Sequence, residues 1–326
     1  MRMKPWMWIA MTLLVAVASV GCKRAPDEVD ERPMVVATTT MLEDMTRHLA
    51  GDDVKVSGLL SPGADPHLYQ PRPGDARQIA ASDMVVMNGL LLEGWMEGLV
   101  RHAGGERPVI VVGDAIPRER LMEVDGAVDP HIWFDVSLWR EGAQHVSKAL
   151  QQLFDEGDAR RNAIAERHAH YDKTLAELDE WTRAQLATVP QGQRVLITSH
   201  DAFGYFGRAY NLDVEAIQGL STEQEASQRD VINMVELVRK RNAPAVFIES
   251  SVSPGLIEQV ARESGVRVSG PLYSDSLGTV ESGVNTYIKM VETNVQLITG
   301  QLGGSPQAFE SSVVPDAPES AGETDV

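Results

Sequence analysis

An α/β protein of two lobes, each a four-stranded parallel sheet flanked by helices and the two joined by one long helix, is what this sequence predicts. Three observations predict it. Short apolar runs of strand type occur in two sets of four, one set before residue 113 and one after residue 193. Helical patterns fill the gaps, and strands alternating with helices imply parallel sheets. Between the sets lies a long helical stretch with no strand signal, residues 137–188.

The elements can be justified in chain order. Residues 1–22 read as a lipoprotein signal peptide. Arg2 and Lys4 precede an apolar run from Trp6 to Val20, too short to span a bilayer comfortably, and the run leads into Gly21-Cys22. Cys22 is the only cysteine, which excludes an internal disulfide and a cysteine-based structural metal site. Ser19-Val20-Gly21-Cys22 resembles a lipobox, so Cys22 is the expected lipidation site; a plain signal peptide is the alternative. Residues 23–33, KRAPDEVDERP, are charged and Pro-flanked, as a flexible tether should be.

The N-terminal lobe, 34–157, holds strand signals at Met34–Thr38, Val54–Leu60, Met84–Met87 and Val109–Val112. Helical patterns cover Met41–Ala50, Pro73–Ala81 and Ser137–Phe154. The linking helix, 158–188, ends before Pro190. At about 1.5 Å per residue it reaches about 45 Å, enough to cross both lobes and oppose wide hinge bending. The C-terminal lobe, 189–302, has strand signals at Arg194–Thr198, Val214–Ile217, Ala245–Ile248 and Val266–Ser269, with a helix over Thr222–Arg241. Residues 303–326, rich in Ser, Pro, Gly and acid, are expected to be a disordered acidic tail.

A formal net charge of −18 repels nucleic acid and anionic membrane surfaces and favours cationic ligands. Nucleic acid is therefore excluded as a partner, and the membrane enters only through the lipid anchor.

The eight histidines divide by position. His48, His102 and His145 lie in helical patterns or at their ends. His168 and His170 fall two apart on the long helix and do not face each other. His67 in GADPHLYQP, His131 in VDPHIWFD and His200 in LITSHDAF are presented by loops, the first two behind a proline that stiffens the backbone. In parallel α/β sheets ligand sites gather outside the carboxyl ends of strands, and Asp275 in GPLYSDSLG has such a place. Three imidazoles and a carboxylate would make a compact divalent metal site. Asp201 and Glu249 also end strands and are rival carboxylates, while Asp65 and Asp129 read as turn formers. With no HExxH-type motif, the residues alone leave the metal site open against a set of unrelated loop histidines.

The ordered landmarks GADPHLYQP, DPHIWFD, SHDAFGYFGRAYNL, QGLSTEQEAS, FIESSVSP and LYSDSLG resemble the metal-binding ABC-transporter substrate-binding lipoprotein family (the zinc/manganese, TroA-like cluster). The resemblance covers nearly all of the chain after the tether. It implies one cation in the interlobe cleft, held by His67, His131, His200 and Asp275. It also implies a monomeric binding protein, not an enzyme, exported and lipid-anchored to a bacterial membrane facing the periplasm or exterior. The implied partners are a cognate ABC permease and ATPase.

The metal is manganese or zinc, with Fe2+ as a third candidate. Zinc-specific members often carry a His-rich insertion before the second ligand, and GDAIPRERLMEVDGAVDP has no histidine. That gap and the STEQEAS segment lean toward manganese. Many manganese-specific members, however, have glutamate where this chain has His200, and three imidazoles suit zinc. Two other classes compete. A metal-dependent hydrolase of the cell envelope would use Glu249 or Asp201 as general base, but GxSxG, P-loop and zincin motifs are lacking. A surface adhesin for cell adhesion would not need four metal-type residues.

Overall fold

The computed structural model describes residues 30–224 and 226–312; the signal segment, Cys22, the tether up to residue 29 and residues 313–326 lie outside the described residues. β1 (Met34–Ala37) is buried from its second residue onward. It takes an inner place in a parallel sheet, between β2 (Lys55–Gly58) and β3 (Met84–Met87), with β4 (Val109–Val111) outside β3. Buried neighbours on both sides explain why its residues are β-branched and apolar rather than alternating.

A hairpin that the strand reading did not anticipate follows, β5 (Glu123–Val124) against β6 (Ala127–Val128). Its turn is Asp125-Gly126, with φ of 52° and 83°. Two left-handed residues at a two-residue turn are what Asp-Gly supplies most readily.

The second set comprises β7 (Val195–His200), β8 (Asp213–Gln218), β9 (Ala245–Glu249) and β10 (Arg267–Leu272). β7 pairs with β8 and β9 with β10, both parallel, and β7 lies alongside β9. The lateral order β8-β7-β9-β10 therefore repeats β2-β1-β3-β4. One difference from the expected four-stranded sheet is local. Ladder hydrogen bonds run within each pair, making two two-stranded ladders side by side. At the carboxyl end of the seam the Glu249 side chain, rather than a β9 carbonyl, accepts from the backbone of Ser199 and His200.

Helices cover the sheets. In the first lobe they are α1 (Thr40–Ala50), α2 (Pro73–Ala80), α3 (Met96–Ala103) and α4 (Val136–Gln151). The long α5 (Ala159–Ala187) runs 29 residues, about 43 Å at 1.5 Å per residue. Asp158 caps its first turn by accepting from the Arg160 amide. Ile164, Tyr171, Leu175, Leu178, Thr182 and Gln185 form its buried stripe, spaced by three, four and seven residues, and it packs on α1 and α4.

The second lobe adds α6 (Gly204–Tyr210), α7 (Gln228–Arg241), α8 (Gly255–Ser264) and α9 (Tyr287–Gln301), the last also packed on α5. α7 starts at Gln228 rather than at Thr222. Ser227 and Asp230 form a reciprocal capping box that fixes the start there. Residues 305–312, which fall in the segment expected to be an acidic tail, make contacts with α5. The Phe309 ring lies tilted against Trp181 with centroids 5.6 Å apart, the Ser305 amide donates to Thr188, and Ser311 and Ser312 donate to Glu177, so residues 305–312 are held against α5.

One apolar core joins Val35, Met41, Trp133 and Trp139 of the first lobe to Leu196, Phe203, Phe247 and Tyr287 of the second. That shared core, together with α5, opposes wide opening between the lobes. Among the described residues no helix is long and apolar enough to cross a membrane.

Where α1 meets α5 and α9, His48 stacks on Tyr171 with centroids 5.2 Å apart. It also sits beside Asp44, which accepts the Tyr287 amide at 2.9 Å. Burial pulls the His48 imidazole down, but the Asp44 carboxylate outweighs burial and lifts it from 6.5 to about 9. A folded-state value above the unfolded one stabilises fully below pH 6.5 and is lost as pH rises through about 9. His48→Gln should therefore lower the Tm at pH 6 and leave it near wild type by about pH 10. Parallel melts across that range check this; a difference independent of pH would refute the ion pair.

Candidate metal centre

The two lobes meet across a cleft at the carboxyl ends of their strands, and the sequence-predicted residues come together there. His67 lies in the loop after β2, and His131 precedes a 3-10 turn at Ile132–Phe134 that leads into α4. His200 is the last residue of β7 itself rather than part of the following loop. Asp275 lies in the loop after β10. One ligand-type atom from each falls within 4.8 Å of every other. His67 is 8% exposed, and His131, His200 and Asp275 are at most 1% exposed.

The spacing is informative. His67 Nε2 lies 3.4 Å from His131 Nε2. His131 Nε2 lies 3.6 Å from one Asp275 oxygen, and His200 Nε2 lies 3.2 Å from the other. Donors about 2.0–2.1 Å from a tetrahedral centre are about 3.3 Å apart, so these separations match donors around one ion. Neither Asp275 oxygen nor His200 Nε2 has an aligned hydrogen-bond partner, although all are buried. Buried polar atoms left so are costly unless a ligand satisfies them. The donor set, three imidazole nitrogens and a carboxylate, fits a divalent transition metal.

The close grouping also shifts how these atoms hold protons. Burial would raise the Asp275 carboxyl, but the imidazoles, His200 foremost, hold it well below the usual carboxylate range. Burial, aided by the other two imidazoles, lowers His67 to about 4 despite Asp275. For His200 burial acts downward, but Glu249 and Asp275 outweigh it and keep the imidazole well above its ordinary value.

Residues read from sequence as bystanders are engaged. Asp129, read as a turn former, is wholly buried; its Oδ1 lies 2.7 Å from His131 Nδ1 and accepts the His131 amide at 2.9 Å. Asp65 makes the same turn, accepting the His67 amide at 2.8 Å. Its other oxygen accepts from Thr222 of the opposite lobe at 2.6 Å. Glu249, a rival ligand on the sequence reading, stands behind His200, with Oε2 an oblique 2.6 Å from Nδ1. Asp201 stays outside the cluster, its carboxyl raised by burial.

The signal for these outer partners was present in Asp-Pro-His, but only three-dimensional proximity pairs Glu249 with His200, 49 positions away. Further contacts close the cleft. Gly63 donates to Ser276 at 2.8 Å, the Leu277 amide to Thr40 at 2.8 Å, and the Trp133 indole to the Ser274 carbonyl at 2.9 Å. The other five histidines take no part in the cluster.

Comparison with known proteins places the chain among metal-binding relatives. The family model of the zinc-uptake complex component A, periplasmic, matches residues 35–300. The chain is 38% identical over 307 residues to the manganese-binding lipoprotein MntA of Bacillus subtilis, covering 90% of this chain and 98% of that one. It is 37% identical over 279 residues to the zinc-binding protein TroA of Treponema pallidum, covering 84% and 90%. The solved structure of that periplasmic zinc-binding protein superposes with a TM-score of 0.80 at 35% identity, covering 83% of this chain and 99% of that one. Fe(III)-bound YtgA from Chlamydia trachomatis superposes at 0.77 with 28% identity, covering 84% and 99%. The fold, the clustered donors and a family match spanning both lobes lead to one conclusion: this chain belongs to the zinc-uptake complex component A family of periplasmic metal-binding proteins.

Proposed function

We propose that this protein captures one divalent transition metal ion in its interlobe cleft and delivers it to a membrane permease, as the substrate-binding component of an ABC importer. His67, His131, His200 and Asp275 are the proposed ligands. The observation that carries the reading is their mutual spacing, 3.2–3.6 Å between neighbouring donor atoms in a buried site. A zinc enzyme keeps an open coordination position for water, usually with three protein ligands. Four protein donors, with Glu249 occupied behind His200, favour holding an ion over turning over a substrate.

Manganese and zinc are the proposed cargo, in keeping with relatives named for each. Three imidazoles and a carboxylate within 4.8 Å of one another suit a four-coordinate zinc. The two oxygens of Asp275, facing different imidazoles, can supply a fifth donor that suits manganese. By intrinsic affinity zinc should displace manganese from the purified protein. Cys22 is proposed to carry the lipid that tethers the protein, acting as a monomer, outside the cytoplasmic membrane beside its permease.

Elemental analysis of the soluble body, followed by zinc–manganese competition, tests the proposal. The expected result is one equivalent of metal, lost in His67→Ala. Absence of stoichiometric metal binding would overturn it.

A further inference from the structure

The two Asp-Pro-His turns are each pinned twice. The aspartate of each accepts the amide of its own histidine, as described above. The second pin is the proline carbonyl immediately before each histidine. The Trp95 indole donates to the Pro66 carbonyl at 2.9 Å, and the Asn88 side-chain amide donates to the Pro130 carbonyl at 2.9 Å. Both donors belong to one short loop, residues 88–95 between β3 and α3, although the turns they hold lie 64 residues apart.

That loop is built for the purpose. Gly89, Leu90 and Leu91 are consecutive left-handed residues, with φ of 77°, 55° and 66°. Two leucines in that region are strained and persist only where surrounding contacts enforce the shape. The enforcing group is Glu93, 3% exposed. Its carboxylate accepts the Asn88 amide at 2.8 Å, the Gly89 amide at 3.0 Å and the Thr38 hydroxyl at 2.6 Å, the last from the end of β1. Asn88 is itself buried, and the Trp95 ring lies 4.9 Å from that of Tyr69, two residues beyond His67.

We propose that loop 88–95 sets both imidazoles of the N-terminal lobe, with Trp95 and Asn88 as positioning residues for His67 and His131. They act through the carbonyl preceding each histidine and do not touch the metal. The inference rests on the reading that those histidines bind metal. Losing either hydrogen bond frees one imidazole to depart from the common centre. The consequence is a changed coordination geometry and a faster release, while the rest of the fold is retained.

Cobalt(II) loaded into the full soluble body is the probe. Its visible d–d spectrum reports coordination geometry, and a chelator chase reports release. Trp95→Phe keeps the ring against Tyr69 and removes only the N–H; Asn88→Ala is the second variant. Both are expected to shift the cobalt spectrum and to speed release by about 5- to 30-fold, with the metal-free Tm of Trp95→Phe close to wild type. A wild-type spectrum and wild-type release in Trp95→Phe would overturn the proposal, whatever the foldedness of Asn88→Ala. A Tm loss in Trp95→Phe with no spectral change would do the same. If wild type takes up no cobalt, the metal-site reading itself has failed; if it does and the variants match it, only the positioning role falls.

Discussion

Asp275→Ala should lower the affinity for zinc or manganese by about 100- to 1000-fold while leaving a folded protein. The magnitude follows from dividing a typical structural zinc binding free energy of about 10–16 kcal/mol among four donors. One donor's share is about 2.5–4 kcal/mol, and each 1.4 kcal/mol is tenfold, which gives about two to three decades. The effect should sit at the upper end, because Asp275 is the only carboxylate among the four and faces two imidazoles at once. Its removal also takes away the negative charge that lets three imidazoles share a buried space with a cation. Far-UV circular dichroism should stay unchanged, since the neighbouring contacts of Ser274 and Ser276 use a backbone carbonyl and a hydroxyl and not this side chain. Titration with a competing chelator measures the loss. Wild-type affinity in the variant would remove Asp275 from the proposed ligand set.

Glu249→Gln should cost about 10- to 100-fold in affinity without removing a donor atom, the range usual for groups that orient a metal ligand. One oxygen of Glu249 accepts the amides of Ser199 and His200 at 2.8 and 3.0 Å; the other faces His200 Nδ1 at 2.6 Å. A carboxylate at that position favours a proton on Nδ1, which would leave the Nε2 lone pair for the metal. In the glutamine variant the amide oxygen is still required by the two backbone donors. The NH2 group must then face Nδ1, so the imidazole takes the other tautomer and its Nε2–H points at the metal position. Zinc binding by the variant should consequently fall while its metal-free Tm stays near wild type. Equal affinity in the two proteins would show that the carboxylate does not set the tautomer.

Much of this was legible before any coordinates. Apolar runs alternating with helical patterns locate the strands of the two parallel sets, most plainly the inner β1, β3, β7 and β9, which are apolar over at least half of their length because they are buried, a local property. The α5 helix is legible for a similar reason: its capping Asp158 and the breaking Pro190 are both local signals. His67, His131, His200 and Asp275 stand out because each lies in or beside a Pro-, Gly- or Ser-rich segment at or near a strand end, where ligand sites of parallel sheets gather. The hairpin at Asp125-Gly126 carries a local turn signal too, but its strands of two residues each are too short to show an apolar pattern.

The start of α7 and the order in residues 305–312 were less accessible. The first depends on whether Thr222 joins a helix or reaches across the cleft to Asp65, and that carboxylate lies 157 positions away. The second depends on Glu177 and Trp181 of α5 offering a surface to a segment whose composition alone reads as disordered.

By itself, then, the sequence determined the sheet-and-helix alternation and the linking helix, which rest on nearby chemistry, and offered His67, His131, His200 and Asp275 as candidates that the family resemblance grouped into one set. Only the tertiary structure decided that the four groups come within 4.8 Å of one another, that Asp129 and Glu249 stand behind two of the imidazoles, and that one loop grips both Asp-Pro-His turns. The physical reason is range: propensity, capping and turn chemistry act over a few residues, whereas a coordination sphere is made by groups far apart in the chain and brought together only when the two lobes share a core.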